Sequence, residues 1–511
     1  MSCHSDRSGP QGPTIHKFGG TSLASGERIA GAAALVEEAA RPVVVVSAMA
    51  GVTERLRRLA EMAGGPQGTS DGREPEIRRE LDALRWLHHE ALDTLPEGGG
   101  TVDGEEASVR RRMDELLGSL EERVRRPDPS VPTVRFLDEI WSHGEDLSAT
   151  LMAAALRARG LRAEAVDARR VVLTDDGYGR AVPRDEETYR RAREHLLPRV
   201  RDGVIPVLQG FIGATEEGTT TTLGRGGSDF TAVMVGAALE GGPVTLWTDV
   251  DGVYSADPQV VPEADVIGEL GYEEAVELAY FGARVVHPAA AKHAVARNVS
   301  LHVKNTFRPR APGTVVRHDL REGPGVAAVA HRPGVTLIRV RSRPLFMAHG
   351  FLARVFEVLA RLAVPVDLVA TSHTSTAFTV DGDESLEEVR LELERVAEVD
   401  VLENMATVTV VGRQVGSPVA DAVFRNGPPL EPAPPSAQSG ASGERLPDGD
   451  PPEGRPEVRG PVELISRAGE VSLSLVVPAS EAPSLVRYLH RSLVEAPGSR
   501  EVTPSDAQAN P

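Results

Sequence analysis

Thr14-Ile15-His16-Lys17-Phe18-Gly19-Gly20-Thr21-Ser22, continued by Ile29, Ala33 and Val36 and then by Val43-Val44-Val45-Val46, is the stretch that decides the fold. Its first five residues read as a short strand that breaks at Gly19-Gly20. Residues 29, 33 and 36 recur at helical spacing, and Arg41-Pro42 ends that helix. Residues 43–46 are a β-branched run of the kind buried on both faces of a sheet. Strand, glycine turn, helix and buried strand open an α/β sheet with parallel neighbours.

The pattern continues outward. Residues 74–95 place Ile77, Leu81, Leu84, Leu87, Ala91 and Leu92 at helical spacing, and the charged 104–127 reads as a second helix with a solvated face. Residues 144–159 predict another helix, 204–209 a short strand, 230–239 a helix and 244–248 a buried strand. The alternation persists to about residue 315. The order then changes to strand 335–341, helix 350–363, strands 366–371 and 377–380, helix 385–396 and strand 406–411, which is the ferredoxin-like β-α-β-β-α-β order. Strands 462–466 and 471–477 and a helix at 482–494 suggest half of a second such unit, whose first strand is 406–411.

These boundaries give a disordered leader 1–13, a catalytic domain 14–320, a first ferredoxin-like unit 330–405 and a second, split unit 406–413 plus 461–496. Residues 414–460, rich in Pro, Gly, Ser and charge, read as a disordered insert, and 497–511 as a disordered tail. At 511 residues the chain exceeds one ordinary core. A net charge of -19 argues against nucleic acid and anionic membrane as partners. Cys3 is the only cysteine, which excludes an intrachain disulfide and a cysteine zinc site. With no apolar run long enough to span a bilayer and no secretory h-region, the expected location is the cytoplasm.

Two glycine turns carry chemistry. At Gly19-Gly20 the backbone can approach a phosphate closely, a following helix offers free N–H groups, and Lys17 can reach a transferring phosphoryl group. Taken alone, it reads equally as a plain βα turn with a surface lysine. Gly224-Arg225-Gly226-Gly227-Ser228-Asp229 is the second turn. Arg225 can fork onto a carboxylate, and Asp229 reads either as a site residue or as an N-cap. Two such turns suggest two anions held toward each other. In Ser142-His143-Gly144-Glu145, Glu145 is either a partner for a substrate ammonium or a first-turn carboxylate favoured by the helix dipole. Thr248, Asp249 and Tyr254 follow a buried strand, where nucleotides bind in open α/β sheets; a simple Asp-Gly turn is the alternative.

Together with residues 47–53, 209–213 and 281–288, these segments resemble aspartate kinase, in the amino-acid kinase family, and most resemble its lysine-sensitive single-activity type. The resemblance implies an amino-acid kinase fold, mostly parallel in its central sheet with helices on both faces, followed by α+β ferredoxin-like ACT units. It implies conversion of ATP and L-aspartate to ADP and 4-phospho-L-aspartate with Mg2+ carried on the ATP phosphates, the step that opens the route to lysine, threonine and methionine. Lys17 would contact the transferring group and Asp229 would organise it. Thr53, Glu145 and Arg225 would hold aspartate, with Arg225 on its α-carboxylate. Gly19, Gly20, Thr248, Asp249, Tyr254, Gln259 and Arg284 would serve the nucleotide. Gln259 stands where the family often has Arg, and Arg284 where many members have Lys. The acceptor carboxylate is ionised at neutral pH, so no general base is needed.

The ACT resemblance implies an allosteric amino acid, lysine or threonine, near Met347, Gly350, Phe351, Leu352, Asp367 and Ser372. His373 replaces a Glu common in lysine-sensitive relatives. A homodimer or higher homo-oligomer is expected. Two rival readings stay open: another kinase of this fold with a different acceptor, and a catalytically silent amino-acid sensor.

Overall fold

The computed structural model describes residues 12–63, 73–95, 105–128, 130–131, 133–282, 286–318, 325–342, 350–372, 375–382, 386–413, 415, 464–468 and 471–495. The expected leader, insert and tail fall almost wholly outside this set, as do Arg284, Met347 and His373. The described residues form two compact units. One lies within Met1–Val253, Gly268–Tyr272 and Arg284–Asp319, the other within Tyr254–Ile267, Glu273–Ala283 and Leu320–Pro511.

The first unit is built on β1 (Thr14–Phe18), β2 (Pro42–Val46), β3 (Ala163–Val166), β4 (Ile205–Gln209), β7 (Val244–Thr248), β8 (Glu269–Gly271), β9 (Leu301–Asn305) and β10 (Thr314–Arg317). Their order is β3-β4-β2-β1-β7-β9-β10-β8, parallel except where β10 meets β9. A separate hairpin joins β5 (Ile212–Ala214) to β6 (Thr220–Thr222). β2 and β4 are buried throughout, as β-branched central strands require. Helix Gly26–Glu37 buries Ile29, Ala32, Ala33 and Val36 and is capped by the Ser25 hydroxyl. Helices Glu74–Asp93, Glu105–Arg125 and His143–Ala158 pack their apolar stripes into the same core, through Leu84, Met113, Leu117 and Leu151 among others. These helices match the periodicity within two residues at either end.

One local expectation fails. Gly19-Gly20 does not lead straight into the helix. A 3-10 turn, Gly20–Leu23, intervenes, and the α-helix starts at Gly26. Ser22 is drawn inward to Thr306 Oγ1 at 2.6 Å, while Ser25 supplies the cap.

The second unit is an antiparallel sheet in the order β12-β13-β11-β14-β16-β15. Its strands are β11 (Ala328–Arg341), β12 (Val369–Thr371), β13 (Ser375–Asp381), β14 (Glu398–Val411), β15 (Leu464–Ala468) and β16 (Ser472–Pro478). Helices Phe351–Arg361 and Leu386–Glu394 cover one cluster around Phe378, and helix Ala482–Leu493 covers another around Leu475. β11 and β14 start earlier than the expected 335 and 406, and β12 later than 366. Pro333 hides β11 in the sequence. The structure absorbs it with a register shift at Pro333/Val335, where Gly334 takes φ +77°.

Candidate active site

β1 lies between β2 and β7, so its carboxyl end and theirs open together. Lys17 precedes the end of β1. Gly19 N donates to Trp247 O at 3.2 Å, and Ala50 N donates to Gly20 O at 3.1 Å. A Cβ on Gly20 would lie 2.8 Å from Ala48 O, so only glycine lets the turn meet the 47–53 loop this closely. β1 is clipped to β7 a second time. Trp247 Nε1 donates to His16 Nδ1 at 3.1 Å, and the Trp247 ring stacks on Phe18. Burial pushes His16 down to about 4, which keeps its nitrogen an acceptor at neutral pH.

The second glycine turn begins helix Gly227–Ala238. Gly226 is left-handed, φ +71°, and a Cβ there would fall within the His287 ring. Asp229, in the first turn of that helix, meets Lys17: Oδ1 to Nζ is 2.6 Å, with the side chains 15 % and 13 % exposed. The two turns are thus brought together. Arg225, within the second turn, is exposed. His287 caps helix Pro288–Arg297. Burial lowers its pKa, the Asp229 charge opposes that, and Arg225 adds to it.

Glu145 is buried at the start of helix His143–Ala158, and its Oε1 accepts from Ala48 N at 3.0 Å. Burial pushes its carboxyl up to about 8, against the opposing pull of the Ala48 N–H and the Lys17 charge. Gly144 permits this approach, since a Cβ there would lie 2.8 Å from Ala48 Cβ. Thr53 is exposed in the first turn of helix Val52–Ala63, at the end of the same 47–53 loop.

At the end of β7, Thr248 Oγ1 donates to Asp249 Oδ1 at 3.2 Å, and Asp249 is exposed. Asn305, at the end of β9, organises this edge. Its Nδ2 donates to Asp251 Oδ1 at 2.7 Å and to Asp249 O at 3.3 Å, while its Oδ1 accepts from Phe307 N and Arg308 N. Sequence reasoning missed Asn305, because nothing in a lone Asn marks a partner more than fifty residues away. Tyr254 and Gln259 fall in the second unit, where Tyr254 bridges Val266 and Gln259 is exposed. Among the residues singled out for an effector, Gly350 starts helix Phe351–Arg361 at φ +85°, Phe351 is half-buried and Leu352 exposed. Asp367 is ion-paired with Arg332 at 2.9 Å and accepts from Tyr280 Oη. Ser372 Oγ lies 2.7 Å from Ser375 Oγ. Among the described residues, no group of three or more His, Cys, Asp or Glu is placed to hold a metal.

Comparison with known proteins places these features in a wider setting. The model of the amino acid kinase family matches residues 12–305, more than half of the chain. Lysine-sensitive aspartokinase 3 of Escherichia coli (strain K12) is 38% identical over 411 residues, covering 78% of this chain and 87% of its own. The crystal structure of E. coli aspartokinase III in complex with aspartate and ADP (R-state) superposes with a TM-score of 0.76 at 32% identity, covering 94% of this chain and 99% of that one. The same enzyme with lysine and aspartate (T-state) gives a TM-score of 0.73 at 32% identity, with the same coverage.

The raised pKa of Glu145 has a measurable sign. The folded chain keeps this proton to about pH 8, whereas an unfolded glutamate releases it near 4.5. The native state therefore binds more protons between these values, and its stability falls as pH rises through them. Glu145→Gln should melt progressively higher than the parent as pH goes from about 5 to about 8, by a few degrees at the upper end. A melting difference independent of pH would refute the assignment.

Proposed function

The chain belongs to the amino acid kinase family and within it to the aspartokinases, and on that footing we propose how its own residues transfer a phosphoryl group from ATP to the side-chain carboxylate of L-aspartate. The carrying observation is the Lys17–Asp229 pair, which joins the two glycine turns at 2.6 Å. In this reading the Gly19-Gly20 turn takes the ATP phosphates. Removing both Cβ atoms leaves that backbone open to them; a Cβ at Gly19 would stand 3.8 Å from Lys17 Nζ. Asp229 orients the Lys17 ammonium toward the transferring group. Arg225 forks onto the aspartate α-carboxylate, Glu145 receives its ammonium, and Thr53 closes the site.

The aspartate β-carboxylate is ionised at neutral pH, so one of its oxygens attacks the γ-phosphorus directly. The new P–O bond forms as the bond to ADP breaks, and ADP departs with that electron pair. Catalysis rests on alignment, to which Arg225 contributes, and on positive charge from Lys17. Mg2+ arriving on the ATP phosphates supplies further charge there. Glu145 is protonated before substrate arrives, and the incoming ammonium favours its ionised form, so aspartate binding releases a proton. Thr248 and Asp249 hold the nucleotide from the strand end. For Tyr254, Gln259 and Arg284 the nucleotide role rests on the motifs alone.

The wider reading is a cytoplasmic enzyme that opens the routes to lysine, threonine and methionine; no helix among the described residues is long and apolar enough to cross a membrane. The effector is lysine, bound near Met347, Gly350, Phe351, Leu352, Asp367 and Ser372. Its support is the relative named lysine-sensitive and the lysine-bound neighbour. A lysine ammonium at Asp367 would compete with Arg332, which now pairs there. Two copies associate through the second unit, whose sheet ends in the short strands β12 and β15.

Hydroxylamine traps an acyl phosphate as a hydroxamate. With ATP, Mg2+ and aspartate the enzyme should yield aspartyl hydroxamate, and Lys17→Met should lower the rate by about 10²-fold or more. Product from glutamate instead, or none from either, would overturn the reading in favour of another kinase or a silent sensor. Millimolar lysine should lower activity and raise the melting temperature, and Asp367→Asn should weaken both effects; a response to threonine alone would sink the lysine assignment. Light scattering should give at least twice the chain mass of 54.4 kDa, and a monomer would dismiss the association.

A further inference from the structure

β6 is three residues long and, among the described residues, its ladder is with the equally short β5, supplemented by Ala181 N donating to Thr222 O at 3.0 Å, which is little to fix its position in water. Two side-chain clusters add to this hold. Asp138, on helix Thr133–Trp141, is fully buried. Its carboxylate accepts from Thr222 Oγ1 at 2.6 Å, Thr222 N at 3.0 Å and Gly179 N at 2.9 Å. Arg169 donates Nε to Thr220 Oγ1 at 2.8 Å and forks its two terminal nitrogens onto Asp146 at 3.1 and 3.0 Å. It also pairs with Asp167. Residues two apart on a strand share a face, so both clusters grip one side of β6. Thr221 points the other way, to Thr174 Oγ1 at 2.8 Å.

The anchor points sit beside the proposed acceptor contacts. Asp146 follows Glu145 directly, and Arg225 lies three residues beyond Thr222. Helices Thr133–Trp141 and His143–Ala158 are nearly continuous, with Ser142 N and Asp146 N donating back to Asp138 O and Ser142 O. This helical segment therefore carries Glu145 and both acidic anchors for the strand that leads into the Arg225 turn. We infer that Asp138 and Arg169 are positioning residues that fix the span between Glu145 and Arg225, and that this span selects an acceptor of aspartate's length over one longer by a methylene. The inference rests on the assignment of Glu145 and Arg225 to the aspartate ammonium and α-carboxylate. A pocket that grips both groups of an amino acid presents its side-chain carboxylate at a depth set by the grip. One extra methylene then overshoots the in-line position, provided the frame does not yield.

Three variants of the full chain test it with aspartate, glutamate and ATP varied in turn. Thr222→Val keeps the shape of the side chain and loses the hydroxyl donor to Asp138; Thr222→Ser keeps the donor. Arg169→Lys keeps the charge and loses the fork. Thr222→Val and Arg169→Lys should each raise KM for aspartate about tenfold, leave KM for ATP within about twofold, and raise glutamate turnover relative to aspartate. Thr222→Ser should match the parent. A joint rise in both KM values, or an unchanged glutamate-to-aspartate ratio, would reduce the clusters to fold support and overturn the inference. Should Thr222→Val fail to fold, Arg169→Lys decides alone. Failure of the underlying assignment would look different: Glu145→Gln and Arg225→Ala would leave KM for aspartate unchanged.

Discussion

The ion pair between Lys17 and Asp229 joins two turns that lie far apart in the first unit's sequence. Both side chains are mostly withdrawn from water. Withdrawing a cation and an anion costs several kcal/mol each, and mutual attraction offsets this only when the geometry is held. The holding is visible around the pair. β1 is fixed between β2 and β7 by parallel ladders, by the His16–Trp247 bond and by the Phe18–Trp247 stack. The Asp229 turn is fixed by a left-handed Gly226 pressed against His287. Neither turn has room for a β-carbon where they approach their neighbours, so the charges meet on a backbone that cannot relax away.

Glu145 shows the opposite outcome of the same competition. It feels the Lys17 charge and accepts the Ala48 N–H, yet burial outweighs both and leaves the carboxyl protonated at neutral pH. Asp229 has already taken the lysine, and backbone N–H donors from Ala48 and from Glu145 itself do not replace a hydration shell. The surroundings of Glu145 are therefore electrically quiet until a cationic group enters. In the proposed reading, charge is concentrated at Lys17 and Arg225, where a phosphoryl group and a carboxylate would need it.

The elements legible in the sequence were those with local causes. The β-branched run at 43–46, the periodic helices and the glycine turns all announce themselves through neighbours along the chain. Lys17, Glu145, Arg225 and Asp229 could be singled out as candidates because each lies in or beside a glycine-containing turn. What stayed hidden depends on register and distance. Asp138 reads as one acid in an apolar stripe between Phe136 and Ile140, and only the fold brings Thr222 and Gly179 to it. Asn305 likewise finds its partners through strands placed side by side, and Arg169 reaches Asp146 on helix His143–Ala158 and Thr220 on β6 only once the fold is formed. The early start of β11 was obscured by Pro333, which ordinarily ends a strand and here sits at an irregularity.

The second unit draws on two distant parts of the chain. Ala256 and Val261 share a core with Val326, Leu475 and Leu489, and Ser255 Oγ meets His490 Nε2 at 2.9 Å across 235 positions. That core cannot close during synthesis until helix Ala482–Leu493 has left the ribosome, since about half of its wall comes from Leu473 to Leu489. Until then Ala256 and Val261 lack the part of their core that Leu475 and Leu489 supply. Trimming the carboxyl end to isolate the catalytic sheet would leave them in that state permanently.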